Sequence, residues 1–168
     1  MIVKKLWIVL VLAALLTGCS AQQTFETILD GWDQPALGQM QQVQLSLPEE
    51  ASVLTMQADN ADRLYLCDGY TVTVQTLSSG DLARTMQEVT GFHVDQLKPV
   101  KTKTQDAERY DCVWIAAGEG GEQVGRAAVL DDGSFHYAVS VMADAAVSGE
   151  LTNVWNELFS SVKLVSTD

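Results

Sequence analysis

Cations, histidine and cysteine are all scarce in this 168-residue chain, and each shortage closes off a class of function. Ten Lys and Arg stand against 22 Asp and Glu, a formal net charge of −12. Such a surface disfavours nucleic acid and is repelled by anionic lipid headgroups, and its plain use is solubility. There are two histidines, His93 and His136, and no serine lies in a Gly-x-Ser-x-Gly elbow, so no hydrolase triad is expected. His93 follows a helix end and His136 sits on a strand beside a turn; both are expected at the surface. No His or second Cys lies at ligand spacing, so no metal site is expected.

Other chemistries fail on spacing. Gly118, Gly120, Gly121 and Gly125 join two strands, not a strand to a helix, and no Lys-Ser/Thr follows, so they do not read as a phosphate loop. Asp131-Asp132-Gly133, and the pair Asp59 and Asp62, lack the alternating acidic spacing of a calcium loop. Asp111, Glu119, Glu122, Asp131 and Asp132 could gather at one sheet end. Acid–base work needs burial to separate their pKa values, and these residues flank turns. No cofactor and no catalytic residue is expected.

Long apolar runs are also lacking, with one exception at the start. Lys4 and Lys5 precede the run Leu6 to Leu16, which is about half of the ~20 residues that a spanning helix needs. A short positive segment followed by such a run matches a secretory leader. Leu16-Thr17-Gly18-Cys19 follows and resembles the lipobox of bacterial lipoproteins at every position. That resemblance implies cleavage between Gly18 and Cys19 and a diacylglyceryl group on the Cys19 thiol. Two acyl chains suffice for stable anchoring, at roughly 0.8 kcal/mol per buried CH₂. The implied address is the outer face of the cell membrane. Residues 1–18 are then leader, 19–42 a lipidated tether with a short helix, and 43–168 one domain. The mature chain is too short for the two lobes of most transport solute-binding proteins. Loss of Lys4 and Lys5 takes its formal charge to −14.

With Cys19 lipidated, Cys67 and Cys112 remain, an even pair in an oxidising compartment. A bridge between them would staple two strands and contribute a few kcal/mol; two separate buried thiols are the alternative.

Residues 20–42 are weakly patterned. Thr24 to Trp32 places Phe25, Ile28, Leu29 and Trp32 on one side of a short helix. The domain then opens with the alternation Val43, Leu45, Leu47, a strand ending at Pro48. Ser52–Gln57, Arg63–Cys67 and Tyr70–Thr76 read as strands, the last two joined by Asp68-Gly69, a favoured two-residue hairpin turn. Leu82, Met86 and Val89 recur at helical spacing, with Asp81 or Ser79 as cap and Gly91 as stop. Val94–Leu97 reads as a connector. Val100–Gln105 reads as a basic edge strand with Lys101 and Lys103 on one face. Glu108–Ala117, Gln123–Leu130 and Ser134–Ala143 read as strands, joined by a wide glycine turn and by Asp132-Gly133. A last helix over Ser148–Ser161 carries Leu151, Val154, Trp155, Leu158 and Phe159, before a terminal strand over Val162–Val165. The expected class is α+β, helices packed on a mostly antiparallel sheet. Trp114, Phe135, Tyr137, Trp155 and Phe159 fall at core spacing. Tyr65 and Tyr70, flanking the first hairpin turn, and Trp32 are the candidates for an exposed contact surface.

The order of elements resembles the PsbP/Mog1-like fold. The residues that carry the resemblance are Leu47-Pro48 ending the opening strand, the helix from Asp81, and the closing run. In that run the Asp132-Gly133 hairpin leads through Tyr137 to a helix with Trp155 and on to Ser160-Ser161-Val162, where Val162 stands in place of the family's usual Phe. The chain also resembles acidic lipoproteins of Gram-positive anaerobes. The resemblance implies an antiparallel sheet between helices and a non-catalytic binding or assembly module. The expected function is a membrane-anchored module for a protein or envelope component. The alternatives are a small-ligand or metal-binding accessory lipoprotein and, less favoured, an enzyme of unrecognised type.

Overall fold

The computed structural model describes residues 38–56, 63–78, 80–118 and 120–166. The leader, Gly18 and Cys19, the Thr24–Trp32 segment, the turn at Asp59–Asp62, Ser79 and Glu119 lie outside the described residues.

Among the described residues nine strands and four helices follow one another. They are β1 (Gln42–Gln44), β2 (Ser52–Met56), β3 (Arg63–Cys67), β4 (Tyr70–Ser78), α1 (Leu82–Thr90), α2 (Val94–Leu97) and β5 (Val100–Lys103). After these come β6 (Glu108–Gly118), β7 (Gly121–Asp131), β8 (Phe135–Asp144), α3 (Ala145–Ser148), α4 (Thr152–Ser161) and β9 (Lys163–Val165). Seven strands form one antiparallel sheet in the order β2-β3-β4-β8-β7-β6-β5, and β1 pairs with β9 in a separate ribbon. This is the PsbP/Mog1-like α+β architecture that the order of elements implies.

Local chemistry sets the element ends. Gly69 (φ 78°) and Gly133 (φ 89°) take the left-handed conformation that tight hairpins demand. The Asp81 carboxylate accepts from the Ala83 N–H at the start of α1, and Gly91, at φ 79°, closes it by donating to the Gln87 carbonyl. The glycine turn is tighter than expected, since Gly118 pairs directly with Gly121. Val94–Leu97 is a helical turn, not a connector. His93 caps it, accepting from Asp95 N–H, while Gln96 Oε1 accepts from His93 N–H. The last helix is broken in two, α3 and α4, around Gly149. The opening strand forms a ladder only over Gln42–Gln44, although Leu45 and Leu47 still pack on the core.

The sheet is covered on both faces, but unevenly. One face carries Tyr70, Val72 and Val74 of β4, Ala128 and Leu130 of β7, and Tyr137, Val139 and Val141 of β8. Trp155, Leu158 and Phe159 of α4 pack on this face, with Val43 and Leu164 of the ribbon. Full burial of each large α4 side chain contributes about 1.5–3 kcal/mol. The other face carries Cys112 and Trp114 of β6, Ala127 and Val129 of β7 and Ala138 of β8, under Met86 of α1 and Leu97 of α2. Arg126 bridges sheet and helix: its guanidinium lies 4.4 Å over the Phe159 ring and donates to Asn156 Oδ1 at 2.7 Å.

Candidate functional site

The expected staple between Cys67 and Cys112 is absent; both are free thiols. Cys67 ends β3 and Cys112 lies on β6, with β4, β8 and β7 between them. Four strand spacings of about 4.8 Å put them roughly 19 Å apart, far beyond disulfide reach. They also serve opposite faces, Cys67 at the α4 side and Cys112 at the α1 side. Burial pushes the Cys112 thiol up to about 11, partly countered by a backbone hydrogen bond with Ala127. Burial also raises Cys67, with its contact to Tyr70 working the other way.

Tyr70 is not an exposed contact either. It is only 6% exposed, packs edge-on against Trp155 with ring centroids 6.2 Å apart, and faces Cys67 across the hairpin. Burial holds its hydroxyl well above the usual tyrosine range. Tyr65 is half-buried against the same core. Register explains both, because Cys67 pairs with Tyr70 and Tyr65 with Val72, which places all four on the α4-covered face. Gly18, Cys19 and Trp32 lie outside the described residues.

His136 reverses its expectation, whereas His93 is exposed as expected. His136 is fully buried on β8, beneath α1. Its Nδ1 lies 2.7 Å from Thr85 Oγ1 and its Nε2 3.5 Å from Asp131 Oδ2. One tautomer suits this site. With the proton on Nε2, the ring turns an N–H toward the Asp131 carboxylate and accepts from the Thr85 hydroxyl at Nδ1. The other tautomer would set a bare nitrogen against a carboxylate. The three side chains have the composition of a nucleophile, a base and an orienting acid. Thr85, however, is only 5% exposed, which leaves its hydroxyl little access to a substrate. The arrangement bolts α1 to the sheet. A signal for it lies in the sequence: Phe135 to Ala143 is nearly all apolar, as a strand buried on both faces should be.

A second polar hub ties the entering chain to the β7–β8 turn. Asp132 Oδ1 accepts from Ser134 and Phe135 N–H, and its Oδ2 accepts from Tyr137 Oη at 2.9 Å and Gln41 Nε2 at 3.2 Å. Tyr137 Oη in turn accepts from Gln41 N–H at 2.9 Å, and Ser134 Oγ accepts from Gly38 N–H at 2.8 Å. Burial works to raise the Asp132 carboxyl, but the donors from Phe135, Ser134, Tyr137 and Gln41 outweigh it and hold the group below the usual carboxylate range. Burial and the Asp132 bond push Tyr137 up to about 12, against the bond from Gln41. The acidic side chains at this end do not converge on a cation: among the described residues no three His, Cys, Asp or Glu could hold a metal ion.

A cleft of about 220 Å³ lies between β1 and the β3–β4 pair. It is lined by the apolar Met40, Val43 and Val74 and by the polar Gln41, Gln42, Arg63 and Thr76. It is smaller than the ~300–1,000 Å³ of sites for drug-sized molecules.

The most distinctive surface is aliphatic. The helices leave part of each face uncovered. On the α4 side, Val100, Val113 and Ile115 of β5 and β6 are 64%, 58% and 59% exposed. At the opposite edge, Val53, Leu54 and Leu66 of β2 and β3 are also exposed. Patches of this kind on a folded protein mark interaction sites. Among the described residues no helix is long and apolar enough to cross a membrane.

No family model matches the chain, and no curated protein matches it. Its fold is similar to solved structures. One is cyanobacterial PsbP (CyanoP) from Synechocystis, at 11% identity and a TM-score of 0.54, covering 77% of this chain and 96% of that one. Another is a protein of Bacteroides thetaiotaomicron, at 8% identity and a TM-score of 0.51 over 74% of this chain; the match spans 45% of that longer chain. The Ran-binding protein Mog1p of Saccharomyces cerevisiae aligns over 77% of this chain and 97% of its own at 11% identity, with a TM-score of 0.49.

Proposed function

We propose that this chain is a lipid-anchored, non-catalytic module that binds a protein or envelope component at the outer face of the cell membrane. The anchor rests on Leu16-Thr17-Gly18-Cys19 and the leader before it. The observation that carries the binding role is the bare aliphatic surface of Val100, Val113 and Ile115 at the β5–β6 end of the sheet. A side chain as large as isoleucine, left more than half exposed beside two valines, is explained by a partner that covers it. The buried Thr85–His136–Asp131 array argues the same way, since the nearest approach to a catalytic set is spent on holding α1.

The test pairs localisation with capture. Protein purified from its native membrane should have an intact mass beginning at diacylglyceryl-Cys19, and Cys19→Ala should leave the membrane fraction. A photo-crosslinker at Ile115 should give one defined adduct that Val113→Asp abolishes. A mass retaining residues 1–18 would sink the anchor. Turnover of a substrate, abolished by one polar substitution, would sink the non-catalytic role.

The Arg63 cleft favours a second reading, an accessory module for a small carboxylate. The guanidinium would pair with the carboxylate, and Met40, Val43 and Val74 would take the apolar body. A thermal shift that discriminates short carboxylic acids from the matching alcohols, lost in Arg63→Gln, is its test.

A further inference from the structure

We propose that the outer edge of β5 receives an extended strand from the partner, one in which carboxylate and apolar side chains alternate. This rests on the binding role proposed above and names the edge and the chemistry that it reads.

Within the seven-stranded sheet β5 is hydrogen-bonded on one side only, to β6. Its backbone polarity follows from the turn after it. The Thr104 N–H donates to the Ala107 carbonyl at 2.9 Å, toward β6. Successive residues of a strand point their backbone groups to opposite sides, so Thr102 and Val100 also face β6. The N–H and C=O groups of Lys101 and Lys103 therefore face outward, four backbone groups without a strand partner among the described residues. Pro99, at the next outward position, has no N–H to offer and marks where an added strand would stop.

Side chains divide the same edge by face. Lys101 and Lys103 pair with Tyr110 and Glu108 and lie on the α1 side; Val100 and Thr102 pair with Asp111 and Arg109 and lie on the α4 side, beside Val113 and Ile115. A strand laid along this edge would set alternate residues against ammonium groups and the residues between them against exposed valine.

Charge selects the occupant. Without Lys4 and Lys5 the chain has eight Lys and Arg, and three of them, Lys98, Lys101 and Lys103, fall within six residues at this edge. Glu108 engages Lys101 at 2.7 Å, while no ion pair of Lys98 or Lys103 forms among the described residues. Edge lysines ordinarily keep strand edges apart. Here that repulsion acts against a second β5 edge from another copy, and it becomes attraction toward a strand that carries carboxylates. The mode is strand addition, with backbone bonds for affinity and alternate side chains for selectivity.

The experiment uses the mature chain and a fluorescein-labelled peptide in which glutamate and valine alternate, read by fluorescence anisotropy. A control peptide has the same composition with its glutamates in one block. We expect the alternating peptide to bind, and to bind more weakly as salt shortens the Debye length from roughly 30 Å at 0.01 M to 10 Å at 0.1 M. Lys101→Glu/Lys103→Glu should weaken it by at least about tenfold, and the block peptide should fail. Amide exchange should slow at Lys101 and Lys103 in particular. Both lysines are exposed, so the fold should survive, and an unchanged melting temperature verifies it. Equal binding by the lysine variant, or protection of other amides, would overturn the proposal. So would binding of neither peptide together with self-association of Lys101→Thr/Lys103→Thr, because the lysines would then serve only to keep copies apart. An adduct at Ile115 without strand addition at β5 would leave the broader binding role standing and remove only this edge; loss of both would remove the two together.

Discussion

The indole of Trp114 on β6 occupies the space above Gly125, its register partner on β7. A methyl group built on Gly125 would come within 2.2 Å of the Trp114 ring and 2.8 Å of the Met142 sulfur. The glycine is required by this close approach, not by its backbone angle. Gly125→Ala should therefore cost about 1–3 kcal/mol through overpacking, and Trp114→Ala about 3–5 kcal/mol. The two should be strongly coupled: once Trp114 is truncated, Gly125→Ala should be close to neutral. A double-mutant cycle on denaturant midpoints measures this, and additive penalties would contradict it.

The Asp132–Tyr137–Gln41 hub predicts both limbs of the pH–stability curve. The Asp132 pKa is lowered in the fold, so its contribution is present above the unfolded value of about 3.9 and is lost as pH falls through the folded value. The Tyr137 pKa is raised to about 12, so its contribution is full below about pH 10 and is lost as pH climbs toward 12. Asp132→Asn should flatten the acid limb and Tyr137→Phe the alkaline one. At neutral pH, Tyr137→Phe should cost about 0.5–1.5 kcal/mol by urea titration.

The thiols should behave as two separate groups. Alkylation of the denatured chain should modify Cys67 and Cys112 equally with and without prior reduction. In the native state Cys112 should resist modification, since burial raises its pKa to about 11 and shields it. A mass two protons lighter before reduction would indicate a bridge and contradict the strand order.

His136 should matter to stability and not to chemistry. Thr85→Val leaves Nδ1 without its hydroxyl partner and should cost about 1–3 kcal/mol. His136→Ala should cost more, because it adds a cavity beneath α1. A fluorophosphonate probe for activated hydroxyls should leave Thr85 unlabelled in the native state. Stoichiometric labelling would mean that the array is reachable and reactive.

Much of the fold was legible because its signals are local. Asp68-Gly69 and Asp132-Gly133 announce hairpins, and both glycines take positive φ. The stripe Leu82, Met86, Val89 announces α1, and Asp81 and Gly91 bound it. Tyr70, Val72 and Val74 alternate and are buried together. The candidate contact residues fared differently. Its place beside a turn marks Tyr70 as a surface side chain, yet α4, more than 80 residues later, closes over it with Trp155. His136, beside the same kind of turn, is expected at the surface but is buried where α1 covers β8. The bare patch on β6 could not be read at all, since Val113 and Ile115 look like any other core pair.

What the sequence by itself determined is everything that depends on neighbours a few residues apart: the turn positions, the helix caps, the two-residue alternation within each strand. Strand order was decided by the tertiary structure alone. Whether Cys67 meets Cys112, whether His136 sees water and whether Ile115 is covered depend on which strands lie side by side and on how far α1, α2 and α4 extend across them. The alternation within a strand divides its residues between two faces, and the physical reason for the gap is that it carries no label for what will cover either face. That coverage is settled only when distant segments pack and share their buried surface.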